Sequence, residues 1–412
     1  MKLQDLKDKK IIILGFGREG KNTYKTLKKL FPIKSIALAD KNNIKADEKE
    51  IFVGENYLSN LKNYDVIIKT PGIPFAKIKE IAGDAKITSQ TELFLENCPG
   101  KIIGVTGTKG KSTTSALIYK ILKEFFKNVK LVGNVGKPCL SYLLTAKPKD
   151  IFVFEMSCHQ LDHISKSPHI SVFINIYPEH LDYYKTFLKY FNAKKNISKF
   201  QSKNDFFVYN PKFKEIQNIK TKAHKIPFVE LFTKNNIHND SIAAAIAVAK
   251  IFGLTEKEIK KSIDTFNTLD SRIEFVGNYN GIDFYNDSLA TIPEATIFAL
   301  NEIKNVDTLI LGGLDRGIKF NKLTDEIKNK KIRNIVLFPN TDKKIYKELK
   351  NENINFFFTN KMKDAVLFAK KNTKKGSVCL LSPAAPSYNL FKDYKDRANQ
   401  FKKYLKNENN KK

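Results

Sequence analysis

Short runs of consecutive apolar residues recur along the chain, separated by stretches with apolar positions every three or four residues. The run Ile11–Leu14 predicts a strand, followed by a helix over Lys21–Phe31 and a strand over Ser35–Ala39 that ends at Asp40. Val66–Ile68 predicts another strand, leading into the turn Thr70-Pro71-Gly72. Strands that are apolar at every position, with helices between them, predict parallel sheets covered on both faces. A second series starts after Pro99-Gly100, with a strand over Ile102–Thr106, a glycine-rich loop, a helix over Ser112–Phe126, and strands over Ile151–Phe154 and Ser171–Ile174. The Ala-rich stretch Ser241–Phe252 reads as a buried helix. A third series begins near Asp270 and contains strands over Thr308–Leu311, Ile335–Phe338 and Val378–Leu381. The pattern predicts three α/β domains in a row, without internal repeats, and a Lys/Asn-rich tail from Lys406 that frays.

Composition narrows the class. The chain has 412 residues, 42% hydrophobic and 28% charged, as expected of a globular protein of two or three domains. No apolar stretch approaches the roughly 18 residues of a membrane helix, so no membrane partner is expected. The lysines and apolar run near the N-terminus resemble a signal peptide only superficially. Ile11–Leu14 is too short for the apolar core of one and enters Gly15-Phe16-Gly17 at once, which predicts a cytoplasmic protein. Cys98, Cys139, Cys158 and Cys379 are scattered, which predicts buried free thiols rather than a zinc site or disulfides. A formal charge of +29 suggests nucleic acid at first sight, but the cations are overwhelmingly lysines spread from Lys9-Lys10 to Lys411-Lys412. Readers of nucleic acid concentrate arginine forks in one patch, so none is expected as a partner.

The candidate chemistry begins at Gly107-Thr108-Lys109-Gly110-Lys111-Ser112-Thr113, between a predicted strand and a predicted helix. Backbone N–H groups and the helix N-terminus there can cradle phosphate oxygens. Lys111 would reach the terminal phosphates of ATP, and the hydroxyl of Ser112 or Thr113 would ligate Mg²⁺. The usual longer phosphate loop needs glycine where Val105 stands, so this is a shorter variant. Gly15-Phe16-Gly17-Arg18-Glu19-Gly20 is a lone glycine turn. It is compatible with a dinucleotide or with any phosphate or ribose. Glu155 follows the strand Ile151–Phe154, ahead of Ser157 and Gln160, and Glu179-His180 follows the strand Ser171–Ile174. Ligands gather at the carboxyl ends of strands in open α/β sheets, so Glu155 and His180 are candidate ligands of a two-metal site.

Gly107–Thr113, the strand end at Glu155 and Asn175-Ile-Tyr-Pro-Glu-His180-Leu-Asp-Tyr-Tyr184 together closely resemble the Mur ligases. The resemblance covers almost the whole chain. It implies three domains: an N-terminal Rossmann-like domain (1–96) for a UDP-linked substrate, a central P-loop ATPase domain (97–269), and a C-terminal Rossmann-like domain (270–412) for the amino acid. It also implies ATP, two Mg²⁺ ions, and a carbamylated lysine supporting the second ion, for which Lys194 fits best and Lys195 is the fallback. A carbamate would turn a cation into the anionic oxygen ligand that Mg²⁺ prefers. The implied reaction activates the carboxylate of UDP-N-acetylmuramoyl-L-alanine as an acyl phosphate, which the amine of glutamate attacks. A monomer is implied, with closure of the three domains about a hinge near Asp270.

Carried over residue by residue, His238-Asn239 resembles the adenine-side element, with Asn239 as the nucleotide contact, and Asp270-Ser-Arg272-Ile-Glu274 the hinge segment whose arginine approaches the γ-phosphate. Asn286-Asp287-Ser-Leu-Ala-Thr291 resembles the ribose and substrate loop. The run Leu381–Tyr394 resembles the segment of the glutamate-adding branch in which Ser387 binds the side-chain carboxylate and Phe391 lies beside it. Gly15, Gly17, Arg18, Asp40, Asn134, Ser157 and Gln160 fall on the side of the UDP-linked substrate. Three positions depart from the family pattern. Leu289 and Arg316 stand where lysines are usual, and Ile242 replaces an asparagine. Arginine for lysine at a carboxylate site keeps the charge and adds a bidentate fork. The sequence Gly312-Gly-Leu-Asp-Arg316-Gly317 also resembles a branch that adds L-glutamate, so the stereochemistry stays open.

Overall fold

A computed structural model describes residues 1–32, 34–134, 136–229, 239–266 and 271–406. Each predicted apolar run forms a strand, shifted by at most two residues, and the strands assemble into three sheets. In the first, Ile11–Leu14 (β1), Ala37–Asp40 (β2), Ile51–Val53 (β3), Val66–Lys69 (β4) and Lys86–Ser89 (β5) pair in the order β3-β2-β1-β4-β5, all parallel. In the second, Lys101–Thr106 (β6), Val129–Gly133 (β7), Ile151–Glu155 (β8), Ile170–Phe173 (β9), Phe206–Tyr209 (β10) and His224–Pro227 (β11) form the parallel order β11-β10-β9-β6-β8-β7.

The third sheet departs from the all-parallel expectation. Glu274–Tyr279 (β12), Ile282–Asn286 (β13), Val306–Gly312 (β14), Asn334–Phe338 (β15), Asn355–Phe358 (β16) and Val378–Leu381 (β17) pair as β12-β13-β17-β14-β15-β16. Strand β12 runs antiparallel to β13, because the two are joined by a tight turn through Asn280 and Gly281 with positive φ rather than by a crossover helix.

In every sheet a strand with at least one non-sequential neighbour ends in a glycine turn: β1 at Gly15, β6 at Gly107, β14 at Gly312. Such switch points leave a crevice beyond the carboxyl ends of the strands, where ligands bind. The first crevice needs glycine twice. Gly15 has φ +87°, and a Cβ on Gly20 would fall on the Gly15 carbonyl, so the helix Arg18–Leu30 can approach β1 only without one.

The chain clusters into two compact units. One takes the described residues of 1–177, 186–229 and 239–266, and so holds the first two sheets together; the other takes 178–185 and 271–406. Asp270, near which a hinge is expected, lies outside the described residues. No helix among the described residues is long and apolar enough to cross a membrane.

Candidate active site

In the first unit the phosphate loop is braced from beneath. Asn175, two residues past β9, accepts the backbone N–H groups of Thr108 (3.1 Å) and Lys109 (3.0 Å) on its Oδ1, while its Nδ2 donates to the Lys109 carbonyl (3.1 Å). The Thr108 hydroxyl accepts the N–H of Tyr177 (2.9 Å) and lies 3.1 Å from the Tyr190 hydroxyl. These ties consume the loop's own polar groups and hold its shape. Gly110 then turns with φ +80° into the helix Lys111–Phe125. The first N–H groups of that helix, at Lys111, Ser112 and Thr113, have no intrahelical acceptors and carry the positive end of the helix dipole. Lys111 Nζ folds over the loop, donating to the carbonyls of Gly107 (2.9 Å) and Thr108 (2.7 Å). Asn175 carries no chemistry of its own in a motif reading, and only the packing exposes its role.

Lys194 approaches the same loop from the helix Phe187–Lys199. Its side chain is 1% exposed, and Nζ donates to the Gly107 carbonyl (2.7 Å), 3.4 Å from Thr106 Oγ1. Lys195 is partly exposed, so Lys194 is the lysine that reaches the loop. Parallel pairing of β6 and β8 sets Glu155 opposite Val105, at the root of the loop, where it is 3% exposed. Ser112 and Thr113 are buried at the helix start. Hydroxyl and carboxylate oxygens are the donors Mg²⁺ favours, so Ser112 and Glu155 fit such an ion. Asn239 opens the helix Asn239–Ile251, and Ser241 of that helix lies against Gly110. His238 lies outside the described residues.

The residues expected on the side of the UDP-linked substrate are tied into the joint between the first two sheets. The Arg18 guanidinium donates to the carbonyls of Gly133 (3.2 Å), Asn134 (3.4 Å) and Gly136. The Asn134 N–H in turn donates to the Glu155 carbonyl (3.3 Å). Asp40 accepts the N–H groups of Phe16 (2.5 Å) and Asn42 (2.8 Å), which fixes the Gly15–Gly17 turn. Ser157 and Gln160 form a capping box, and Gln160 Nε2 donates to Glu19 Oε1 (2.7 Å). Burial pushes the Glu19 carboxyl above the usual range, against the pull of that hydrogen bond and of Arg18 and Lys69. Burial likewise pulls Lys69 down, opposed by Asp162 and Glu19. Neither Glu19 nor Lys69 stands out in sequence, since both are ordinary charged residues beside a turn.

In the second unit, His180 has φ 55° and caps the short helix Leu181–Tyr184. Its Nδ1 lies 3.2 Å from Arg316 Nη1, and its Nε2 3.7 Å from Glu179 Oε2. Arg272 sits between two residues in the left-handed region, Ser271 (φ 64°) and Ile273 (φ 44°). A β-branched residue there is strained, and such strain clusters at ligand sites. The Nε groups of Arg272 and Arg316 are both buried without a hydrogen-bond partner among the described residues. Two orphaned guanidinium donors are what a phosphate or carboxylate would satisfy.

The expected hinge and ribose loops come together around Arg272. Asn286 Nδ2 donates to Glu274 Oε2 (2.8 Å), Leu289 N–H to the Ser271 carbonyl (3.2 Å), and Ile273 N–H to Asp287 Oδ1 (3.4 Å). Ser382 Oγ donates to Asp287 Oδ2 (2.8 Å), yet burial dominates and raises the Asp287 carboxyl to about 7. Thr291 lies beyond this turn, before the helix Pro293–Glu302. Ser387 is buried, and Phe391 belongs to the core, edge-on to Phe338 with ring centroids 5.7 Å apart.

A family model described as Mur ligase middle domain matches residues 105–286. A Ligilactobacillus salivarius protein named UDP-N-acetylmuramoylalanine–D-glutamate ligase is 35% identical, over 97% of this chain and 96% of its own. The chain belongs to the Mur ligase family. Another relative of the same name, from Acetivibrio thermocellus, is 32% identical over 97% of each chain. Among solved structures, the UDP-N-acetylmuramate-alanine ligase MurC of Thermotoga maritima aligns with TM-score 0.63 at 16% identity, covering 97% of this Mur ligase and 100% of that chain. The MurF ligase of Thermotoga maritima in complex with ADP aligns with TM-score 0.62 at 17% identity, covering 96% and 95%. At that identity these two structures speak for the Mur ligase fold alone.

Proposed function

We propose that this Mur ligase adds D-glutamate to the carboxylate of UDP-N-acetylmuramoyl-L-alanine at the expense of ATP, in the cytoplasm and as a monomer. The near-full-length match to relatives that carry that name bears the reading. A carboxylate oxygen is a poor leaving group, so it must first be activated. The substrate carboxylate attacks the γ-phosphorus of ATP, the bond to the β,γ-bridging oxygen breaks, and ADP leaves. The glutamate amine then attacks the acyl carbon, the amide forms, and inorganic phosphate departs.

The chain's own groups take these parts. The N–H groups of residues 110–113 and Lys111 bind the ATP phosphates, with Asn239 and Asp287 on its nucleoside side. Lys111 and Arg272 offset the charge that spreads over the transferring phosphoryl group. Gly15–Arg18, Asp40, Asn134, Ser157, Gln160 and Thr291 hold the UDP-linked substrate, Arg18 and Asp40 by fixing the turn that contacts it. Arg316 and Ser387 bind the two carboxylates of glutamate beside Phe391. Ser112, Glu155, His180 and a carbamylated Lys194 would hold Mg²⁺, whose charge neutralises the phosphates when bound.

The test is phosphate release by the purified protein with ATP, Mg²⁺ and UDP-N-acetylmuramoyl-L-alanine, supplying D- or L-glutamate separately. Turnover with D-glutamate alone is expected. Turnover with L-glutamate alone would move the protein to the branch that Gly312–Gly317 also resembles. Silence with both, in folded protein, would sink the substrate assignment.

A further inference from the structure

Only five of the 72 Lys and Arg residues are arginine, so lysine is this chain's default cation. Arginine is expected to survive such a bias where its planar fork is needed. Arg333, an exposed residue, pairs with Asp307, while Arg18, Arg272 and Arg316 sit at the sites described above. The fifth, Arg397, lies on the C-terminal helix Tyr394–Lys406 and is 0% exposed, one of the largest fully buried side chains of the protein. Nothing in the mechanism uses it.

Its donors go to two loops. Nε donates to Ser288 Oγ (3.0 Å) and Nη2 to the Ser288 carbonyl (2.8 Å), while Nη1 donates to the Ala385 carbonyl (3.1 Å). Ser288 belongs to the turn that follows β13, and Ala385 to the turn that follows β17. The second turn is strained: Ala384 has φ 56° and is buried, a conformation a non-glycine residue keeps only when its surroundings impose it. That turn in turn sets the third strand end. The Pro383 carbonyl accepts the Gly312 N–H (2.8 Å), and the Pro386 carbonyl accepts the Leu314 N–H (2.8 Å). Gly313 has no room for a side chain, since a Cβ there would fall on the Pro386 carbonyl. Two residues beyond Leu314 stands Arg316, and one beyond Pro386 stands Ser387.

We propose that Arg397 is a positioning residue for glutamate: its guanidinium locks the turn 382–387 onto the turn 287–290 and thereby holds Ser387 and Arg316 in register with the nucleotide side. This deepens the proposed function, on which the assignment of glutamate to Ser387 and Arg316 rests. A lysine at 397 would carry the charge but could not span three acceptors in two loops, since its donors radiate from one nitrogen.

The experiment compares Arg397→Lys with the unaltered full-length protein. With ATP, Mg²⁺ and UDP-N-acetylmuramoyl-L-alanine, the KM for glutamate is expected to rise about ten- to a hundredfold, as for a small misplacement of binding groups. The KM for the UDP-linked substrate should stay unchanged. In hydrogen exchange, the amides of 287–290 and those of Gly312 and Leu314, which donate to the second turn, should lose protection together while the strand amides of the first unit keep theirs. A folded Arg397→Lys with unchanged glutamate KM and unchanged exchange overturns the proposal, as does a uniform loss of active protein without a KM shift. Should the unaltered protein turn over neither glutamate isomer, the functional reading fails, and the exchange pattern still decides whether Arg397 clamps the turns. If Arg397→Lys does not fold, Ser288→Ala removes one acceptor of the same clamp. The expected rise in glutamate KM is then about three- to tenfold, the worth of one hydrogen bond, and no rise overturns the proposal.

Discussion

At the scale of single residues, several chemically loaded side chains are held by partners far away in sequence. Asp287 is the sharpest case. Burial outweighs its bonds to Ser382 and Ile273 and lifts its carboxyl from 3.8 to about 7. Between those values the folded chain keeps a proton that the unfolded chain has released. Its contribution to stability is therefore complete below pH 4 and is lost as pH rises towards 7. Asp287→Asn removes that titration. Thermal unfolding should find the wild type losing ground to Asp287→Asn between about pH 4 and 7, by about 1 kcal/mol per pH unit in mid-window, and levelling off above about 7. Parallel pH profiles for the two proteins would contradict the burial argument.

At the scale of elements, the sites depend on how closely a helix can approach the strand before it. The helix Arg18–Leu30 meets the β1 turn at Gly20, where any side chain would strike the Gly15 carbonyl. Gly20→Ala must push the helix outward and carry Arg18, Glu19 and Thr23 with it. Overpacking of this kind costs about 1–3 kcal/mol. The expected result is a lower unfolding temperature and a raised KM for the UDP-linked substrate, with ATP binding intact. An unchanged KM would separate this turn from substrate binding. The same scale explains which strands the apolar pattern singles out. Runs such as Ile11–Leu14 and Val378–Leu381 are buried at every position. The edge strands β3, β11 and β16 are half-exposed and only three or four residues long, and β11 is also mixed in polarity, so their pairing shows only in the assembled sheets.

At the scale of the whole molecule, the chain forms two compact units, one built on the first two sheets and the other on the third. Unfolding should therefore depart from a single two-state transition. Calorimetry is expected to show a van't Hoff enthalpy below the measured one. ATP at about 100 times its Kd should stabilise the unit that carries residues 107–113 by about 2.7 kcal/mol and raise its transition. A single transition that ATP moves as a block would show that the two units unfold as one. The first two sheets share one compact unit for a physical reason. Arg18, Asn22 and Gln160 hydrogen-bond across the joint between the first two sheets, and no composition shift announces such bonds.

The sequence alone determined the α/β class, the positions of the buried strands and the phosphate loop, because each is written in contiguous residues: apolar runs, and a glycine turn between a strand and a helix. It also supplied Lys111, Glu155, Lys194 and Arg272 as candidates through local motifs and family order. Only the tertiary structure decided what braces them. Asn175 beneath the loop, Lys194 rather than Lys195 on the Gly107 carbonyl, the Arg316–His180 contact and the Arg397 clamp each join residues from separate strands or helices. Hydrogen bonds of that kind follow from sheet order and register. Those are settled by the burial of whole faces and leave no mark at any single position.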